Sequence, residues 1–268
     1  MQNFRLKICG ITRWEDALLA VEAGADALGF NFSQVSKRRV DVTTAAQIID
    51  RLRQRRWQTV CVGVFVEHSA DQARRLAAQA GLDLIQLHGD HALADLEPDF
   101  DWPVLWVSRL PATRPELMAA RLAGLAQQLV AFRSGSLAPD PVVGRPGIAG
   151  LLVDAYSPDD YGGTGQTLAW EPLGQRSHWL QLGWTTTAWP QPLPLVLAGG
   201  LTPENVATAI QQAQPDGIDV ASGVEQSPGI KSAEKIHALI AAAKQAWRDL
   251  PAGQLPTMAR LDPPTQTS

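Results

Sequence analysis

Two apolar runs in this chain end on groups that can move a proton. The first, Lys7-Ile8-Cys9, turns at once through Gly10 into Ile11-Thr12; the second, Leu151-Leu152-Val153, ends on Asp154 and is followed by the glycine-rich Tyr161-Gly162-Gly163-Thr164-Gly165. A thiol and a carboxyl facing each other make a base and an acid. A buried cysteine also commonly behaves as a small hydrophobe, and an aspartate after a strand commonly serves a turn or a cap, so placement has to decide. Side chains alternate along a strand, so with Leu6 and Ile8 on one face, Arg5, Lys7 and Cys9 share the other. A lysine on an inner face needs a partner, and Asp219, flanked by Ile218 and Val220, can supply one. That cation and the helix start at Thr12 would favour the thiolate of Cys9. The apolar run before Asp154 partly desolvates it, and desolvation raises a carboxyl pKa toward what a proton donor needs at neutral pH. Cys61, inside the apolar run 59–66, reads as core.

Holding such groups in one place requires a repeated frame. Strands are expected at 5–9, 27–31, 59–66, 84–87, 104–107, 151–154, 194–198 and 217–220. Helices are expected at 14–23, 43–53, 69–80, 114–132 and 232–247, with another starting at Thr202-Pro203-Glu204. Thr12 and Glu15 have the spacing of a capping box, and Gly24 and Gly81 close their helices. Strands alternating with helices argue for a parallel sheet. About eight such units, with no dinucleotide fingerprint after the first strand, fit a closed barrel better than an open doubly wound sheet. The expected fold is therefore α/β, a single (β/α)8 TIM barrel over 1–249 with insertions near 134–150 and 175–192, the latter carrying Trp179, Trp184 and Trp189. The segment 250–268 turns to Pro, Thr, Gln and Asp and reads as a flexible Pro-rich tail.

In such a barrel the site lies where strands end, at the C-terminal face. The expected strand ends are unusually polar: Cys9, Asn31, His88, Asp154, Gly199-Gly200 and Ser222-Gly223. Glycines at a helix start expose amides that can bind a dianion, and barrels often place a phosphate at the loops after strands 7 and 8. Simple tight turns would share that glycine pattern. The basic run Ser36-Lys37-Arg38-Arg39 reads on spacing as solvated surface, although Arg38 or Arg39 could hold a carboxylate with two parallel hydrogen bonds.

Bulk properties narrow the class of partner. An apolar fraction of 45% and a charged fraction of 19% are those of a globular chain with a sizeable core. A formal charge of -4 and a pI near 5.7 give no basic field for nucleic acid or an anionic membrane, so a small molecule is the better partner. Neither a signal-like start nor an apolar run long enough to span a bilayer is present, and Cys9 and Cys61 lack metal-ligand spacing. A cytoplasmic protein is expected.

Taken together, the motifs resemble one family, phosphoribosylanthranilate isomerase of tryptophan biosynthesis. The resemblance is carried by Lys7-Ile8-Cys9-Gly10-Ile11-Thr12, Gly24-Ala25-Asp26-Ala27-Leu28-Gly29-Phe30, Val62-Gly63-Val64-Phe65-Val66, Gln86-Leu87-His88-Gly89, Leu152-Val153-Asp154 with Gly162-Gly163-Thr164-Gly165, Leu197-Ala198-Gly199-Gly200-Leu201, and Asp219-Val220-Ala221-Ser222-Gly223-Val224-Glu225. It implies a (β/α)8 barrel that performs an Amadori rearrangement of N-(5-phosphoribosyl)anthranilate with no metal or organic cofactor. It implies Asp154 as general acid and Cys9 as general base. It implies that Arg38 holds the anthranilate carboxylate, against the surface reading from spacing. Gly199, Gly200, Ser222 and Gly223 would hold the phosphate, with His88 and Asp219 near the substrate. A sugar phosphate is then the small-molecule partner, and the chain is expected to be a monomer or a weak homodimer. The chain departs from the family pattern at Lys37, where proline is usual, and at Leu168 and Ala169, where phenylalanine and aspartate usually precede the tryptophan.

Overall fold

A computed structural model describes residues 4–88, 96, 100, 102–111, 120–121, 124, 147–156, 170–174 and 194–251. Eight parallel strands close into a barrel in sequence order: β1 (Leu6–Cys9), β2 (Ala27–Asn31), β3 (Val60–Phe65), β4 (Leu84–Leu87), β5 (Val104–Pro111), β6 (Ile148–Tyr156), β7 (Leu195–Leu197) and β8 (Gly217–Val220). Pairing of β1 with β8 closes the ring and sets Lys7 opposite Asp219.

Period-two alternation sorts the strand side chains into two cores. Val62, Leu84, Leu105, Val107, Leu152 and Val196 fill the barrel, whereas Leu6, Ile8, Leu28, Ile85, Leu151 and Ile218 face the surrounding helices. Those helices are α1 (Trp14–Ala23), α2 (Val42–Gln54), α3 (Ala70–Ala80), the short α4 (Glu171–Gly174), α5 (Val206–Ala213) and α6 (Ala233–Arg248). Their starts are written locally. Asp41 and Ser69 accept from the amides of Thr44 and Gln72, and Ser69 with Gln72 completes a capping box. Gly24 and Gly81, at φ 101° and 72°, close α1 and α3 in the left-handed region that glycine favours. After β8 come a 3-10 turn at Ser222–Val224 and a small antiparallel hairpin of β9 (Glu225–Ser227) and β10 (Ile230–Lys231).

Several expectations need correcting. Thr12 does not cap α1: Arg13 is the cap residue, and the Thr12 hydroxyl donates instead to the Gly229 carbonyl at 2.7 Å, a tertiary bond that outcompetes the local one. Arg5 precedes β1 and does not point to the barrel axis; its guanidinium lies 5.4 Å from the centroid of the Trp247 ring. The segment after β7 reaches helix only at Val206, because Asn205 ties the turn by accepting from the Thr202 amide at 2.8 Å. Strands β5 and β6 outrun their apolar patterns, since ladder pairing from Val104↔Ile148 to Pro111↔Tyr156 asks nothing of side-chain polarity. The expected connector 134–150 therefore loses its last residues to β6.

Of the expected helix 114–132, Ala120, Arg121 and Gly124 are described and are helical. The glycine run 161–165, the insertion 175–192, the stretch 134–146 and the tail from 252 lie outside the described residues.

Candidate active site

The frame positions the proton-moving groups through alternation and register. Cys9 ends β1 on the inner face and is 8% exposed, directly opposite Gly29 of β2. A Cβ on Gly29 would lie 2.6 Å from Cys9 Sγ and 3.0 Å from Lys7 Nζ, so thiol and ammonium share the space this glycine leaves open. Lys7 is fully buried and its Nζ donates to Asp219 Oδ2 at 2.8 Å, which is the pair expected from the strand pattern. Burial alone would lower the Lys7 pKa, but the charges of Asp219 and Cys9 and its hydrogen bonds outweigh that and hold it above the ordinary value.

The thiolate expectation for Cys9 does not hold in the free protein. Burial pushes the thiol pKa up and the Asp219 charge adds to it, while Lys7 and Lys231 pull it down without prevailing. Cys61 faces the helices, fully buried, and burial pushes it up to about 12, in keeping with a packing role.

Asp154 sits on the inner face of β6 beyond the fully buried Val153 and is half-buried. His88, which follows β4, brings Nε2 to 3.4 Å from Asp154 Oδ2, and its Nδ1 lies 3.3 Å from Nε2 of the buried Gln86. A line of three polar groups thus runs from β4 to Asp154 on β6.

Arg38 lies in the loop after β2. That loop is shaped by Asn31, whose side chain accepts from the Ser33 amide at 2.9 Å and whose carbonyl accepts from Val40. The Arg38 stem crosses Gly10, where a Cβ would meet Arg38 Cδ at 2.6 Å. Its Nε and Nη2 donate to the two oxygens of Glu225 at 2.8 and 2.9 Å.

The glycine loops after β7 and β8 meet backbone to backbone. Gly199 and Gly200 take φ of 88° and 63°, and a Cβ on Gly223 would fall 1.8 Å from the Leu201 carbonyl oxygen. Asn205 braces the first loop, its Nδ2 donating to the Gly200 carbonyl at 2.9 Å. The ring order β6-β7-β8-β1 sets these two loops between the strand bearing Asp154 and the strand bearing Cys9.

Comparison with known proteins places the chain in a family. Residues 6–102 and 140–242 match the model of the N-(5'-phosphoribosyl)anthranilate isomerase family. The chain belongs to this family. The N-(5'-phosphoribosyl)anthranilate isomerase of Chlorobaculum parvum is 39% identical over 249 residues, covering 92% of this chain and 98% of the relative. The crystal structure of the Thermotoga maritima isomerase superposes with a TM-score of 0.68 at 31% identity, covering 91% of this chain and all of that one. The Thermotoga protein is dimeric, and monomers have been generated from it. A further structure, at 29% identity and TM-score 0.65 over 91% of this chain and all of the other, holds reduced 1-(o-carboxyphenylamino)-1-deoxyribulose 5-phosphate.

In this phosphoribosylanthranilate isomerase of tryptophan biosynthesis, the polar side chains at and near the strand ends fall into two connected groups. One is Cys9, Lys7 and Asp219 at β1 and β8; the other is Gln86, His88 and Asp154 at β4 and β6. Arg38 is joined to the first group through Glu225 and Lys231, whose Nζ donates to Glu225 Oε1 at 2.9 Å and to the Cys9 carbonyl at 2.6 Å. Sequence reasoning gave no role to Glu225, Lys231, Gln86 or Asn205. Glu225 and Gln86 lie inside stretches quoted for the family resemblance, but only tertiary contact shows what they touch. Among the described residues no helix is long and apolar enough to cross a membrane.

Proposed function

We propose that the chain converts N-(5'-phosphoribosyl)anthranilate to 1-(2-carboxyphenylamino)-1-deoxyribulose 5-phosphate by acid–base catalysis from β6 and β1, Asp154 as acid and Cys9 as base. The observation that carries this reading is the ring order: the glycine loops after β7 and β8 stand between β6, which bears Asp154, and β1, which bears Cys9. A phosphate held by those loops through Gly199, Gly200, Ser222 and Gly223 anchors the sugar within reach of both groups.

Asp154 gives its proton to the furanose ring oxygen. The bond from that oxygen to C1 breaks, and the nitrogen lone pair forms an iminium at C1. The Cys9 thiolate then takes the proton from C2; the released electron pair forms the C1–C2 double bond and neutralises the nitrogen. The resulting enolamine shifts a proton from its C2 hydroxyl to C1 and becomes the ketone, so the sequence is an isomerisation with no net gain or loss of atoms. Arg38 holds the anthranilate carboxylate, while His88, beside Asp154, and Asp219, beside Cys9 through Lys7, border the substrate.

Cys9 starts as a buried thiol with a raised pKa, so its base form grows as pH rises. The test is turnover of freshly generated substrate, followed by loss of anthranilate-type fluorescence with spontaneous decay subtracted. Cys9→Ser and Asp154→Asn should each lower kcat by about a hundredfold or more. For the wild type, kcat/KM should follow a bell-shaped pH profile, because the reacting form needs Asp154 protonated and Cys9 deprotonated together, whereas the residual rate of Asp154→Asn should keep only the limb that rises with pH. Retention of activity by either variant would remove the role given to that residue.

In assembly we read a monomer or weak homodimer acting in the cytoplasm. Val35 is the single exposed large apolar residue among the described ones, which leaves little for the apolar centre of a stable interface. Both cysteines are free, as a reducing compartment requires.

A further inference from the structure

We propose that Glu225 is the positioning residue that sets Arg38 for the substrate's aromatic carboxylate, with Lys231 locking Glu225 to the strand that carries Cys9. The inference rests on the carboxylate role given to Arg38 above. A guanidinium has two edges, each able to make two parallel hydrogen bonds to a carboxylate. Glu225 takes the edge made by Nε and Nη2, with bonds of 2.8 and 2.9 Å, and the edge bearing Nη1 is the one a second carboxylate would take. The stem of Arg38 is fixed as well, because it fills the space over Gly10, the residue next to Cys9.

Glu225 cannot easily swing away. Its Oε1 accepts from Lys231 Nζ at 2.9 Å and from the Gly229 amide at 3.3 Å, and its side chain is 5% exposed. Lys231, fully buried in its side chain, also donates to the carbonyls of Cys9 at 2.6 Å and Ala221 at 3.0 Å. One ammonium therefore ties Glu225 to the end of β1 and to the entrance of the phosphate loop. The Lys231 amide donates to Asp16 at 3.1 Å, and Asp16 pairs in turn with Arg13, which pins the β9–β10 hairpin to α1. Two cations on the Glu225 carboxylate leave one positive charge over, the charge an incoming anion needs.

The experiment compares two ligands: reduced 1-(o-carboxyphenylamino)-1-deoxyribulose 5-phosphate and its phenylamino counterpart without the carboxylate. Glu225→Gln should weaken binding of the first by about tenfold to a hundredfold and leave the second unchanged. Arg38→Met should show the same selectivity, and the double variant should be no worse than Arg38→Met alone, because the two residues act as one unit. Glu225→Asp, which keeps the charge on a shorter stem, should recover part of the loss, and it carries the comparison if the glutamine variant does not fold. Equal weakening of both ligands by the Glu225 variants, or no weakening, overturns the inference while selective Arg38→Met behaviour keeps the carboxylate role of Arg38. A non-selective Arg38→Met overturns that role and the inference with it.

Discussion

At the residue scale the candidate site depends on how little room surrounds Cys9. Cys9 Sγ and Lys7 Nζ both lean over Gly29, whose backbone lies in ordinary strand geometry, so glycine is needed there for space and not for conformation. Gly29→Ala would push a methyl group against the sulfur at 2.6 Å and against the ammonium at 3.0 Å. Displacing a catalytic atom by about an ångström can cost on the order of a hundredfold in rate. We expect Gly29→Ala to lower kcat by that order while phosphate binding, measured by competition with inorganic phosphate, stays as in the wild type. Loss of phosphate binding in step with kcat would mean that the barrel mouth as a whole had shifted. Lys7 and Asp219 sit beneath the same point. Breaking a buried pair by removing one partner costs about 3–5 kcal/mol, so variants of either residue report on folding before they report on catalysis.

At the element scale the glycine loops after β7 and β8 form one unit. Gly223 packs so tightly on the backbone of Leu201 that any Cβ would overlap its carbonyl oxygen at 1.8 Å. The obstacle is backbone, which cannot turn aside as a flexible side chain would. Gly223→Ala should therefore separate the loops and raise the dissociation constant of a sugar phosphate by about tenfold or more, with the helices intact by circular dichroism. Unchanged phosphate affinity would detach these loops from the role given to them. Asn205 makes the same joint from the other side: it accepts from the Thr202 amide and donates to the Gly200 carbonyl, so the helix start and the glycine loop move together.

Across the whole molecule, charges buried at the barrel mouth set the pH range of stability. Burial would raise the Glu225 pKa, but the hydrogen bond from Arg38 and the charge of Lys231 outweigh it and hold the pKa below the ordinary value of 4.5. A carboxylate whose folded pKa is depressed contributes stability above its unfolded pKa and loses it as pH falls through the folded one. Lys7 is the reverse case: burial opposes its charge, Asp219 and Cys9 prevail, and its pKa stands above 10.5. Its contribution is complete below that value and is lost as pH rises through the folded pKa. The urea midpoint of the wild type should exceed that of Glu225→Gln at pH 7, and the gap should close as pH is lowered below about 4.5. A gap that stays constant down to pH 3 would show that Glu225 contributes by shape and not by charge.

The amino-acid sequence by itself determined the barrel, because alternating strands and amphipathic helices are local patterns with fixed periods. It also determined the inward face of β1, so Lys7, Cys9 and Asp219 were readable as neighbours: period two names the face and the closing of β8 on β1 names the partner. The closing of α1 and α3 by Gly24 and Gly81 was legible for the same reason, since a left-handed glycine ends a helix locally. What only the tertiary structure decided were bonds between residues far apart in the chain. Thr12 caps nothing because Gly229 lies within its reach, and Arg38 is built into the site because Glu225, distant in sequence, arrives on a hairpin beside it. The protonation of Cys9 belongs to the same class. Its neighbours along the chain favour a thiolate, but desolvation is set by everything packed around the sulfur, and in this barrel desolvation prevails.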